Sequence, residues 1–129
     1  MIVDTSYLIS LLVAEDSNHS KAVADGQVLT EPALVPDLVL EELVSTLTYK
    51  RGIEFGLAAL EEVRSNKRFT AYSLSSTEAA GTFELMKRVR RKLNFTDYLI
   101  VYLAHQRGEG VLSYDRQLLS VLKGEVNAK

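Results

Sequence analysis

Short apolar runs alternate along this chain with segments of helical period, and that alternation restricts its architecture more than any other feature. Met1-Ile2-Val3 stops at Asp4 and is followed at once by Leu8, Leu11 and Leu12 at helical spacing, a strand running directly into a helix. A short helix around Asn18 to Asp25 is expected to end at Gly26. Ala33 to Val35 reads as a second strand, and Pro36 opens a helix whose apolar stripe is Leu40, Leu43, Val44 and Leu47 and which closes near Arg51-Gly52. A helix over about Glu54 to Ser65 precedes the alternating run Phe69 to Leu74. Ser75 with Glu78 has the form of a capping box for a helix carrying Phe83, Leu85, Met86 and Val89. Thr96 is placed to cap the next helix, with Leu99, Ile100, Leu103 and Ala104, which Arg107-Gly108 closes. Gly110 to Ser113 reads as the last strand, ending at Asp115 before a helix with Leu118, Leu119, Val121 and Leu122. Strands that alternate with helices pair in parallel through right-handed crossovers. The expectation is a three-layer α/β/α sandwich with a parallel sheet of four or five strands, one domain over residues 1–129.

Composition narrows the chemistry. The 129 residues are 47% hydrophobic and 25% charged, which excludes disorder and collagen-like repeats. The absence of cysteine excludes disulfides, thiolate nucleophiles and zinc ribbons, and fits a reducing cytoplasmic setting. The apolar stretch Tyr7 to Ala14 is broken by Ser10 and falls far short of the roughly 20 residues a spanning helix needs. It has no basic leader, so neither a membrane span nor a signal peptide is expected. The net charge of −2 conceals an asymmetry. Residues 1–49 hold eight acids and a single base, Lys21, for a net of −7, while residues 50–129 hold 14 bases and 9 acids, for a net of +5. Such a division points to a charged partner.

In open α/β sheets, ligands bind beyond the carboxyl ends of the strands, where strand order reverses. Asp4 and Asp115 each follow an apolar strand, Asp97 begins a helix in Asn94-Phe95-Thr96-Asp97, and Glu42 lies in the first turns of the helix after Pro36. Four acids from four segments can therefore converge, and a hard divalent cation such as Mg2+ or Mn2+ would neutralise them. Each acid also has a local explanation. Asp4 and Asp115 suit helix caps, and Asp97 suits the positive end of a helix dipole. Glu41 stands at an angle similar to Glu42, and periodicity does not choose between them. Capping, however, does not require an acid after two strands, whereas a metal site does.

Met1-Ile2-Val3-Asp4-Thr5-Ser6, Val39-Leu40-Glu41-Glu42-Leu43, Thr96-Asp97-Tyr98-Leu99-Ile100 and Ser113-Tyr114-Asp115-Arg116, in that order, resemble a PIN domain. Within that family the similarity is to VapC-type toxins of toxin–antitoxin systems, and it covers essentially the whole chain. The resemblance implies a catalytic metal site of Asp4, Glu42, Asp97 and Asp115, supported by the Ser6 hydroxyl, and it selects Glu42 over Glu41. Ser113 stands where threonine is commoner in the family. The implied activity is Mg2+- or Mn2+-dependent endonucleolytic hydrolysis of RNA, the implied partners a small antitoxin and a second copy of the chain. Exposed apolar positions around Leu57 to Val63 are candidates for the homodimer contact.

An acidic pocket repels RNA, so phosphates need a separate attraction. Lys87, Arg88, Arg90, Arg91 and Lys92 form a basic run just before Asp97, the candidate RNA-binding residues, although cations are also ordinary at a helix end. Tyr7, Tyr98 and Tyr114 lie near proposed ligands, where rings can stack on bases, with packing the commoner role. His19 and His105 have no ligand or triad spacing. Within the resemblance, a ribosomal-RNA processing nuclease or a non-catalytic PIN scaffold are the alternatives. A receiver-type signalling domain fits less well, since Asp4 stands alone and no lysine follows Val111-Leu112-Ser113. A haloacid dehalogenase would need Asp-x-Asp-x-Thr where position 6 is Ser, and a serine hydrolase would need a nucleophile elbow.

Overall fold

A computed structural model describes residues 1–127. The order is β1 (Ile2–Val3), α1 (Thr5–Leu12), α2 (His19–Gln27), β2 (Ala33–Pro36), α3 (Asp37–Arg51), α4 (Ile53–Ser65), β3 (Phe69–Tyr72), α5 (Ser76–Val89), α6 (Phe95–Arg107), β4 (Val111–Leu112) and α7 (Arg116–Asn127). The sheet has four strands in the order β3-β2-β1-β4, all parallel, so the lower of the two expected strand counts applies among the described residues. Register pairs Ile2 with both Leu34 and Val111, which makes β1 the central strand between β2 and β4. The chain moves outward from β1 to β2 and β3 and then returns to the other side of β1 to lay down β4. Strand order therefore reverses between β1 and β4, and the carboxyl ends of those two strands lead into Asp4 and Asp115.

Burial explains the strength of the short strands. Ile2, Val3, Ala33 and Val35 are completely buried, as parallel strands covered on both faces should be. Leu8 of α1, Val39 and Leu43 of α3, Leu99 and Ile100 of α6 and Leu118 of α7 close the core around them. Fully burying a side chain of this size contributes about 1.5–3 kcal/mol. Tyr7 and Tyr98 belong to this core, with hydroxyls donating to the carbonyls of Ala22 (2.9 Å) and Arg91 (2.6 Å), so neither ring is available to a base. Tyr114 is half-buried against Tyr7, and its hydroxyl donates to Asp25 Oδ2 at 2.7 Å.

Helix ends follow local chemistry with two corrections. Ser75 and Glu78 complete both halves of the capping box, and Gly52 and Gly108 end their helices at positive φ. Gly26 does not end α2. It lies inside the helix, where a Cβ would stand 2.7 Å from the Tyr7 hydroxyl, so it is required for close approach rather than for termination. The cap of α6 is Asn94, whose Oδ1 accepts from the Asp97 backbone N–H at 2.8 Å, and Thr96 lies within the first turn. Of the apolar stretch proposed for dimer contact, Ala59 and Val63 are buried, and the exposed apolar side chains are Leu57 together with Ile53 and Tyr49.

Candidate functional site

Asp4 sits where β1 turns into α1, at the N-cap position, yet its side chain makes no capping hydrogen bond. It is 3% exposed, and its Oδ2 instead accepts from the Ser6 hydroxyl (2.6 Å) and the Ser113 hydroxyl (2.8 Å). Each hydroxyl has one proton, so both are committed to one oxygen of Asp4. Ser6 Oγ in turn accepts from the Tyr114 N–H (3.0 Å), and Ser113 Oγ from the Asp115 N–H (3.0 Å), which ties the end of β4 to the end of β1. Ser6, expected to support a metal site, donates directly to the Asp4 carboxylate.

Asp115 caps α7, its Oδ1 accepting from the N–H groups of Gln117 (2.9 Å) and Leu118 (3.2 Å). The capping explanation is correct for that oxygen. Asp97 occupies the first turn of α6 and is 9% exposed. Glu42, half-buried on α3, accepts from Asn94 Nδ2 at 3.4 Å. Glu41 is exposed and borders a different cavity with Leu60 and Arg64, so the rotation of α3 turns Glu42 rather than Glu41 toward the cleft.

Asp4, Glu42, Asp97 and Asp115 line one cleft of about 270 Å3, with Thr5, Ser6, Ile9, Thr46 and Asn94 completing the wall. Among the described residues no cationic side chain contributes to it. The consequence appears at Asp97, whose pKa rises from 3.8 to about 6. Burial is the largest cause, followed by the charges of Asp4 and Asp115, with Glu42 adding to them and an Asn94 backbone hydrogen bond opposing. A helix dipole alone would have lowered it. The all-oxygen donors suit a hard divalent cation in kind. Their spacing is open: among the described residues no group of three or more His, Asp or Glu side chains stands as placed in an arrangement that could hold a metal ion. The carboxylates are near enough to destabilise one another's charge, but their oxygens do not converge on one point.

The basic run lies outside this cleft. Arg88 makes two 2.8 Å bonds to Glu125, and Lys87 Nζ pairs with Glu84 at 3.1 Å. Both border a separate cavity of about 590 Å3 with residues of α5, α6 and α7. Arg90 ends α5 in the left-handed conformation (φ 60°), and Arg91 donates to the neutral Ser120 hydroxyl at 3.1 Å. Arg90, Arg91 and Lys92 are exposed, in the segment leading to Asn94 on the cleft wall.

Thr5, Thr46, Asn94 and Ser113 are site residues beyond those expected. Thr46 lies four residues after Glu42, hence on the same helix face, and Asn94 stands three before Asp97, the spacing of an N-cap. Both signals were readable in the sequence. The role of Ser113 depends on contact with Asp4 from 109 residues away, which no local pattern reveals.

A parallel α/β protein with four carboxylates lining one cleft where strand order reverses carries an acidic site there. More specifically, residues 1–123 match the PIN domain model, and the chain belongs to that family. Among solved structures it is similar to VapC20 of Mycobacterium tuberculosis, a sarcin-ricin loop cleaving toxin, with TM-score 0.82 and 20% identity over 92% of each chain. VapBC2 from Rickettsia felis, bound to a DNA fragment from their promoter, gives TM-score 0.69 and 13% identity over 93% of this chain and 91% of that one. A toxin–antitoxin complex from Klebsiella pneumoniae gives 0.65 and 14% over 92% and 89%. At these identities the likeness establishes the fold. Curated proteins compared by sequence give no match.

Proposed function

We propose that this protein is a Mg2+- or Mn2+-dependent endoribonuclease, the toxin of a toxin–antitoxin pair, acting as one PIN unit over residues 1–129. The observation that carries this reading is the cleft itself: four carboxylates from four segments, no cationic side chain in the wall among the described residues, and Asp97 lifted to about 6. Such a site is destabilised until positive charge enters it. Supporting it, a neighbour in fold is a toxin that cleaves the sarcin-ricin loop.

When bound there, a divalent cation supplies Lewis acidity toward the phosphate and lowers the pKa of water. Asp4 is preset for ligation, because two hydroxyls fix one of its oxygens. Asp97 is held by the rigid start of α6, Asp115 by its own cap, and Glu42 reaches in from α3. Ser6 and Ser113 act as positioning residues. Among the basic residues, Arg90, Arg91 and Lys92 carry the attraction for RNA phosphates. Lys87 and Arg88 contribute less, since glutamates already match their charge.

The antitoxin and a second protomer are the proposed protein partners, supported by the toxin–antitoxin assemblies among the structural neighbours. Tyr49 at the end of α3 and Ile53 and Leu57 on α4, 92%, 54% and 48% exposed, are apolar side chains available for such contact. Among the described residues no helix is long and apolar enough to cross a membrane. The cysteine-free composition supports the cytoplasmic setting proposed here. The open spacing of the carboxylates favours one alternative, a PIN scaffold that binds without turnover. Cleavage of a total-RNA pool separates the two. Products that appear with Mg2+ or Mn2+, disappear with EDTA and are absent with Asp97→Asn support the nuclease, whereas cleavage at the normal rate by Asp97→Asn sinks the site assignment.

A further inference from the structure

The end of β4 borders a second cavity, of about 510 Å3, lined by Asn18, Lys21, Asp25, Ser113, Tyr114 and Arg116. The acidic cleft and this cavity share the strand end as a common wall. Ser113 of the cavity donates to Asp4 Oδ2 of the cleft, and the Tyr114 N–H donates to Ser6 Oγ. Asp115 then lines the cleft while Arg116, the next residue, lines the cavity. The two spaces differ in charge. Asp25 Oδ2 accepts from Lys21 Nζ (3.0 Å) and from the Tyr114 hydroxyl (2.7 Å), so the acid of the cavity wall is already matched. Arg116 is exposed, and among the described residues it forms no ion pair. As the first residue of α7 it also stands at the positive end of the helix dipole, where a cation is disfavoured. Its charge is therefore left uncompensated by the fold, beside a cleft crowded with carboxylates.

We propose that this cavity is a phosphate subsite of the nuclease, in which Arg116 binds the RNA phosphate that neighbours the one held at the carboxylates. This rests on the nuclease reading above and extends the substrate path beyond the cleft. A guanidinium fork suits two phosphate oxygens at once. The Asn18 side chain makes no capping bond, which leaves its amide as a neutral donor on the same wall. Tyr114 keeps the wall rigid, since its ring lies 6.0 Å from that of Tyr7 and 5.4 Å from Lys21 Nζ while Asp25 holds its hydroxyl. A single strand crossing Tyr114 would pass from a cation held by four acids to a cation supplied by the chain itself, so successive phosphates both meet positive charge.

Arg116→Gln removes the charge, and Arg116→Lys keeps the charge without the fork. The probe is a short fluorescein-labelled single-stranded RNA of random sequence, read by anisotropy over a range of NaCl with Ca2+ replacing Mg2+, beside thermal midpoints in EDTA and in Mn2+. Arg116→Gln should bind about tenfold more weakly and lower the slope of log affinity against log salt by about one, whereas Arg116→Lys should restore the slope. The Arg116→Gln midpoint in EDTA should equal or exceed that of wild type, and its Mn2+ response should be unchanged. Wild-type affinity and slope in Arg116→Gln overturn the proposal, as does a slope that Arg116→Lys fails to restore. A midpoint lowered in EDTA also overturns it, because the guanidinium would then have a partner within the fold. A wild type that responds to Mn2+ but does not bind the RNA removes this inference and leaves the metal site standing, while a wild type that fails to respond to Mn2+ overturns the nuclease reading and this inference together.

Discussion

Replacing Asp97 by asparagine should make the metal-free protein more stable. Asp97 has its pKa raised from 3.8 to about 6 by burial and by Asp4 and Asp115. At about 1.4 kcal/mol per pKa unit, holding that charge at neutral pH costs the fold up to about 3 kcal/mol. Local relaxation and water entry reduce this, so a gain of roughly 1–3 kcal/mol is expected from Asp97→Asn, since an effective interior dielectric is well above that of dry protein. For a domain of this size that corresponds to a rise of about 5–10 °C in Tm. The sign depends on pH. A carboxyl whose folded pKa lies above its unfolded value holds more protons in the folded state, so its favourable contribution is complete below about 4 and is lost as pH rises through about 6. The advantage of the variant should therefore be greatest above pH 7 and vanish near pH 4. Thermal unfolding in EDTA across that range is the assay. A variant less stable than wild type at pH 7.5, or a difference that does not change with pH, refutes the argument that the cleft concentrates unneutralised charge.

Three further outcomes follow from the same contacts. Neutralising Arg90 and Arg91 together to glutamine should weaken RNA binding and reduce the slope of log affinity against log salt by roughly one to two, and an unchanged slope would assign the run to a solvated helix end. Ser113→Ala leaves Asp4 with one hydroxyl partner and removes the acceptor of the Asp115 N–H. Urea unfolding should show a loss of about 1–2 kcal/mol and titration at least about tenfold weaker Mn2+ binding, while wild-type values in both would contradict the positioning role. Gly26→Ala places a methyl 2.7 Å from a Tyr7 hydroxyl anchored on Ala22, so stability should fall by about 1–3 kcal/mol despite alanine's better helix propensity, and Tyr7→Phe should recover much of it. No loss in Gly26→Ala would return that glycine to the role of a simple helix residue.

The alternation of strands and helices was legible because β1 and most of β2 are short buried apolar runs and helices such as α3 carry an apolar stripe. Asp4 and Asp115 could be placed at the cleft for the same reason, since a strand that stops at an acid leaves it at the carboxyl end of the sheet. What the sequence conceals is contact between distant segments. Gly26 looked like a helix stop because its neighbour Tyr7 lies 19 positions away on another helix. Arg88 looked like a free cation because Glu125, 37 residues on, is brought to it only by α7. Glu42 and Glu41 differ by one position, and only the burial of Val39, Leu43 and Leu47 fixes which one turns to the cleft. Asn94 and Thr96 are both good caps two residues apart, and the choice fell to the one whose side chain reaches the Asp97 N–H.

The central claim is that Asp4, Glu42, Asp97 and Asp115 together receive a cation. Titrating Mn2+ at constant ionic strength while following Tm tests it without knowledge of the RNA, because a ligand that binds only the folded state must stabilise it. The account predicts a saturable rise in Tm for the wild type that Asp97→Asn loses. A flat titration of the wild type, or an equal rise in both proteins, would contradict it.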